Sequence, residues 1–168
     1  MNRSLTKYSV APSVAVGSWC GSVPNASKRD DTKVLKQVTA LLKDLSPKFP
    51  QGIECANDVL YYESFYVKHG ETFREVILQT EGEYLLVFKC NNVVPASTAS
   101  VIYHLASSTG QKGELSVGNF VDRVQGARLQ TSIPNERLLL SFSHKHFASS
   151  FAPKIGACNV VACVVRQQ

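Results

Sequence analysis

The feature that most constrains this chain is a change of hydrophobic period at Val59. Before it, Val34, Leu35, Val38, Leu41, Leu42 and Leu45 recur at i, i+1, i+4, i+7, i+8 and i+11, the apolar stripe of an amphipathic helix. Asp30 or Asp31 supplies an N-cap suited to the positive end of the helix dipole, and Lys33, Lys36, Gln37, Lys43 and Asp44 take the outer face. Ser46-Pro47 ends the helix and Pro50-Gln51-Gly52 makes the exit turn. From Val59 onward the period is two. Val59 to Val67 is dense in Tyr, Phe and Val. Phe73 to Gln79 alternates, with Val76 and Leu78 on one face and Phe73 and Ile77 on the other, and Tyr84 to Cys90 is a third strand. The turns Lys68-His69-Gly70-Glu71 and Thr80-Glu81-Gly82 are short, so the three strands are expected to form an antiparallel meander.

Further along, Pro95-Ala96-Ser97-Thr98 caps a short helix running to Ser107, or else Val101 to Leu105 is a strand. Gly110 to Gly113 is a loop, and Gly118-Asn119 caps a short turn carrying Phe120, Val121 and Val124. Arg128 to Ile133 alternates, Pro134-Asn135-Glu136 turns, Leu138 to Phe142 is a strand, and Ala157 to Val165 is a β-branched final strand. That last strand carries a single charged gatekeeper, Arg166, so it is expected at the centre of a sheet or paired with another subunit. The expected fold is α+β and mostly β. It comprises six to eight antiparallel strands in a sandwich or barrel-like core with one helix, about 31–45, packed on it. A chain of 168 residues suits one domain, 30–168, preceded by an arm over 1–29. The arm is rich in Ser, Val, Pro and Gly. Its weakly alternating stretch 9–16 is suited to adding as an edge strand, and Trp19 to anchoring the arm on the body.

Charge is sparse and uneven. Charged residues make up 18% of the chain, against about 25% in an average soluble domain, which is less charged surface than a free monomer usually shows. Residues 1–29 hold Arg3, Lys7, Lys28 and Arg29, and residues 137–168 hold Arg137, Lys145, Lys154 and Arg166; neither end has an acid. All thirteen acids lie between Asp30 and Glu136, against ten Lys and Arg there, so basic ends flank a mildly acidic body. Such ends suit phosphate, anionic lipid or the acidic body of another copy.

The five cysteines are odd in number and irregular in spacing, and no secretory signal precedes them, so reduced thiols in the cytoplasm are expected. Cys90 and Cys163 fall in strand patterns and read as core; Cys20 is the most exposed by context. No apolar run is long enough to cross a bilayer as a helix, and neither a myristoylation nor a prenylation signal occurs.

Catalytic signatures are missing from the sequence. There is no Gly-x-Ser-x-Gly elbow, no phosphate-binding glycine loop and no CxxC pair; Glu81 and Glu83 sit at a hairpin turn, where acids are ordinarily solvated. The nearest thing to a metal site is His144 with His146, which share one side of a strand, with Cys158 and Cys163 following. The spacing lacks the pairing of a zinc motif, and no acid follows Glu136 to orient a ligand. Tyr62 and Tyr66 share one strand face while Tyr61 and Phe65 share the other. Beside Lys68 and Arg74 the first pair would make a base-stacking platform, although no RNP motif is present.

In composition and layout, and not by any motif, the chain resembles small viral coat and matrix proteins. The resemblance implies a non-enzymatic structural protein without a cofactor. It would self-associate in cytoplasm or virion and contact nucleic acid or an anionic membrane surface through Arg3, Lys7, Lys28, Arg29, Lys145, Lys154 and Arg166. The alternatives are a monomeric β-rich module binding RNA, a glycan or a small ligand, and a small enzyme using His104, His144, His146 or a cysteine.

Overall fold

The computed structural model describes residues 30–45, 55–68, 71–91, 97–107, 110–118, 123–146 and 157–167. The arm, Trp19, Cys20 and the exit turn at 50–52 lie outside them, as do the Pro95 cap, Phe120 and Val121. Among the described residues one helix, α1 (Asp31–Leu45), precedes a 3-10 turn (Ala56–Asp58) and eight strands. These are β1 (Val59–Lys68), β2 (Glu71–Leu78), β3 (Gly82–Cys90), β4 (Ser97–Leu105), β5 (Lys112–Gly118), β6 (Val124–Thr131), β7 (Glu136–His146) and β8 (Ala157–Arg166). The expected helix is present with its stripe inward, and Asp30 is its cap, its Oδ1 accepting the Lys33 N–H at 3.1 Å. Residues 97–105 resolve to strand: Ala99, Val101, Tyr103 and Leu105 are buried between more exposed neighbours, a period of two that a helix would not bury on one side.

All strand pairs are antiparallel and fall into two sheets, β1-β8-β3-β6 and β2-β7-β4-β5. This strand order is the double Greek key of a jelly roll. It corrects the expected meander. β1, β2 and β3 do not pair with one another, because the chain crosses from one sheet to the other between them; β4 and β5 form the only hairpin of sequential strands among the described residues. Alternation shows which residues of a strand face inward, and both arrangements satisfy it equally.

The interior lies between the sheets. Phe142 of β7 meets Phe65 of β1 edge-on, with ring centroids 5.0 Å apart, and the tilted ring of Phe88 of β3 at 5.8 Å. Around this trio pack Val76, Leu78, Leu86, Val101, Leu138 and Leu140. A second apolar layer covers the outside of the first sheet, where Val34, Val38, Leu41, Leu42 and Leu45 of α1 lie on Leu85, Val87, Val161, Cys163 and Val165. With sheet on one side and helix on the other, every residue of β8 from Val160 to Val165 is buried. This accounts for its unbroken apolar run, and the final strand is central as expected.

An ion pair joins the sheets at the β1/β2 edge. Arg74 Nε and Nη2 donate to Glu63 Oε1 and Oε2 at 2.7 and 2.8 Å, Tyr61 donates its hydroxyl to Glu63 Oε1 at 2.6 Å, and the guanidinium lies 5.4 Å from the Phe65 ring centroid. Cys55 is disulfide-bonded to a partner outside the described residues, which corrects the expectation that every cysteine is a thiol. No helix among the described residues is long and apolar enough to cross a membrane.

Candidate functional site

The two sheets differ in what covers their outer faces. The first carries α1. Over the second, no described element packs. Register fixes the composition of that outer face. Phe73, Ser141, Ile102 and Glu114 form one cross-strand row through β2, β7, β4 and β5, and Glu75, Leu139, His104 and Lys112 form the next. Their sequence neighbours Val76, Leu138, Leu140, Val101 and Leu115 point into the core, so these rows point out. Phe73 is 44% exposed and Ile102 50%, two of only four large apolar side chains left exposed among the described residues. Ile77 and Leu139 are half-buried beside them.

Polar groups ring this apolar centre. Arg137 Nε donates to the buried Glu75 carboxylate, Ser141 Oγ donates to Glu71 Oε2 at 3.2 Å, and Ser100 and Ser116 share a hydroxyl contact at 3.0 Å. Glu71, Glu75 and Glu114 stand against Arg137 and Lys112, with His104 exposed between them. The balance is close to neutral, unlike the strongly positive surface that phosphate contacts require.

The sequence-predicted residues are scattered relative to this face. Of the seven basic contacts, Arg3, Lys7, Lys28, Arg29 and Lys154 lie outside the described residues, and Lys145 is placed in β7 without a described side chain. Arg166 is exposed where β8 ends. The tyrosine platform is divided: Tyr66 is 60% exposed, whereas Tyr62 packs against the α1 layer, where burial pushes its hydroxyl pKa up. Arg74, expected beside them, points inward to Glu63 instead, since an inward arginine needs a carboxylate partner and finds one on β1. His144 is buried on the inward side of β7, and the side chain of His146 lies outside the described residues. Among the described residues no group of three or more His, Cys, Asp or Glu is placed to hold a metal.

Phe73 and Ile77 were separable from Val76 and Leu78 by alternation alone. Ile102 carried the same signal, since Thr98, Ser100, Ile102 and His104 interleave with Ala99, Val101, Tyr103 and Leu105. Only the fold shows that these faces adjoin.

No protein family matches the chain, and no curated protein matches it. Among solved structures it is similar to CorA, described as a surface-associated copper-binding protein of Methylomicrobium album BG8. That match has 8% identity and a TM-score of 0.43 and covers 64% of this chain and 94% of CorA. It is also similar to the Yersinia pseudotuberculosis-derived mitogen, with 11% identity and a TM-score of 0.40 over 64% and 86% of the two chains. A third is TmCBM61, solved with β-1,4-galactotriose, with 12% identity and a TM-score of 0.32 over 64% and 72%. At these identities and scores none of them assigns a ligand to this chain.

Proposed function

We propose that the chain is a non-catalytic binding module that works through the outer face of its second sheet, and that the occupant of that face is a second copy of the chain. One observation carries the reading: Phe73 and Ile102 stand exposed in a single cross-strand row on the face that no described element covers. Jelly rolls serve capsid proteins, lectins and cupins alike, so the topology is compatible with self-association and with sugar binding, and the face has to decide between them. Among the described residues its centre is aliphatic, with one phenylalanine and no exposed tyrosine or tryptophan to stack on a sugar ring, and its charge is mixed. Mixed charge suits a copy of the same face. A two-fold axis running along the strands between β7 and β4 lays the β2 side of one copy, with Glu71 and Glu75, over the β5 side of the other, with Lys112. Four strands about 4.8 Å apart and about eight residues long present on the order of 500 Å2. Two such faces bury about 1,000 Å2, the lower limit of a specific interface, so the association is reversible and depends on concentration.

Light scattering after size exclusion, across a range of loading concentrations, tests this. The expected mass rises above 18.4 kDa with concentration, and Ile102→Asp returns it to that of the monomer while circular dichroism is unchanged, because the side chain is half in solvent. A monomer at every concentration, or association that survives both Ile102→Asp and Phe73→Asp, overturns the proposal.

A further inference from the structure

Cys90 of β3 and Cys158 of β8 share the inner face of the first sheet. Cys90 lies opposite Val160, so Cys158, two residues back along β8, is its diagonal neighbour on the same side. Both are 1% exposed, and their Sγ atoms are 3.1 Å apart. The strands are fastened beside them: the Asn91 N–H donates to Asn159 O at 2.9 Å and Asn91 Nδ2 donates to Asn159 Oδ1 at 2.6 Å. A disulfide has its sulfurs about 2.05 Å apart, so closing the bond moves them by about 1 Å. Cys163, on the same strand, occupies the opposite face under α1 and has no route to either sulfur.

We propose that Cys90 and Cys158 form a second disulfide, a staple across β3 and β8, when the chain folds in the presence of a small-molecule disulfide such as oxidised glutathione. The thiolate of one cysteine attacks a sulfur of that reagent and displaces one glutathione thiolate, giving a mixed disulfide. The second cysteine loses its proton, attacks the protein sulfur of the mixed disulfide and displaces the other glutathione thiolate. The two protein thiols are thereby oxidised by two electrons, and the reagent is reduced to two thiols. In the finished fold the step is slow. The hydrogen bond to Cys90, and then burial, hold the Cys158 thiol well above its ordinary pKa, and neither sulfur is open to solvent. The bond therefore forms while the strands are docking.

The test refolds the reduced full-length chain in mixtures of oxidised and reduced glutathione, quenches with acid, alkylates in denaturant and maps the peptides without reduction. The expected result is a cross-linked peptide joining Cys90 to Cys158, lighter than its two thiol forms by two hydrogens, with Cys163 alkylated. Adding the same reagent to the reduced, already folded protein is expected to give the cross-link much more slowly. Recovery of Cys90 and Cys158 both alkylated, in refolded protein whose Cys55 is cross-linked, overturns the proposal and leaves the pair as two hydrogen-bonded thiols.

Discussion

Two residue-scale features set how this fold answers to substitution and to pH. Arg74 is 7% exposed and its guanidinium donates to both oxygens of the Glu63 carboxylate. Removing one partner of such a pair strands the other as an uncompensated charge, at a cost of about 3–5 kcal/mol, whereas replacing both by apolar groups is often neutral. Arg74→Leu is therefore expected to lower stability by about 3 kcal/mol, the low end because Glu63 retains some contact with water. Adding Glu63→Leu to it should recover much of that loss. Urea unfolding of both variants is the check, and a single variant within about 0.5 kcal/mol of the parent contradicts the argument. Cys163 and Cys158 both weaken the fold on the alkaline side. Burial pushes the Cys163 thiol up from 9.0 to about 12, partly opposed by a hydrogen bond from the Val87 backbone. The folded chain keeps this proton up to about pH 12 while the unfolded chain releases it near pH 9, so the contribution to stability is complete below about pH 9 and is lost as pH rises toward 12. Tyr61, whose burial and neighbouring Glu63 raise its pKa, adds a loss of the same sign at higher pH. Cys163→Ala should make the fall of unfolding free energy between about pH 9 and 10 shallower by up to one proton, roughly 1.4 kcal/mol per pH unit. An unchanged slope would mean that Cys163 does not titrate on unfolding.

At the scale of elements, the helix is held by packing more than by its own propensity. Fifteen residues make a helix that is marginal alone in water. Its five buried apolar residues rest on β3 and β8, and the Asp44–Lys89 ion pair beside them is too exposed to add much. Leu41→Ala is expected to cost about 2–5 kcal/mol, against about 0.5 kcal/mol or less for the exposed Lys36→Ala. Thermal melts of the two variants distinguish a docked helix from a loosely attached one. The same element shows how legible the sequence was. The stripe from Val34 to Leu45 specified the helix and its buried side, because a period of 3.6 has one structural meaning. A period of two specified the strands and the inward residues of β2, but the partner of a strand is set by chain crossings that leave no local mark. Lys68 to Glu71 reads equally well as a hairpin turn and as a crossing between sheets. The outer face of the second sheet was hidden for the same reason: Phe73, Leu139 and Ile102 lie on three strands far apart in sequence, and only the 2-7-4 order brings them together.

At the scale of the whole molecule, the jelly roll makes the first strand depend on the last. Among the described residues β1 pairs only with β8, with Val59 opposite Val165, and β8 then pairs with β3. Without residues 157–168, β1 would have no neighbour in its sheet, β3 would present an open edge, and α1 would lose Val161, Cys163 and Val165 from beneath it. The interior would also lose Val160, Ala162 and Val164. A chain ending at residue 156 is therefore expected to lack any cooperative unfolding transition and any near-ultraviolet dichroism, rather than to fold with reduced stability. Its folding should be recoverable by a peptide spanning 157–168, since the missing piece is one strand with both neighbours waiting. For the intact chain the same pairing places the closing contact across nearly the whole domain, so refolding belongs in the millisecond-to-second range of β sandwiches rather than the faster range of helical bundles. A sigmoidal urea transition from the truncated chain would show that the second sheet and helix hold together without β8, and would move the organising core of the molecule from β8 to the Phe65–Phe88–Phe142 contact between the sheets.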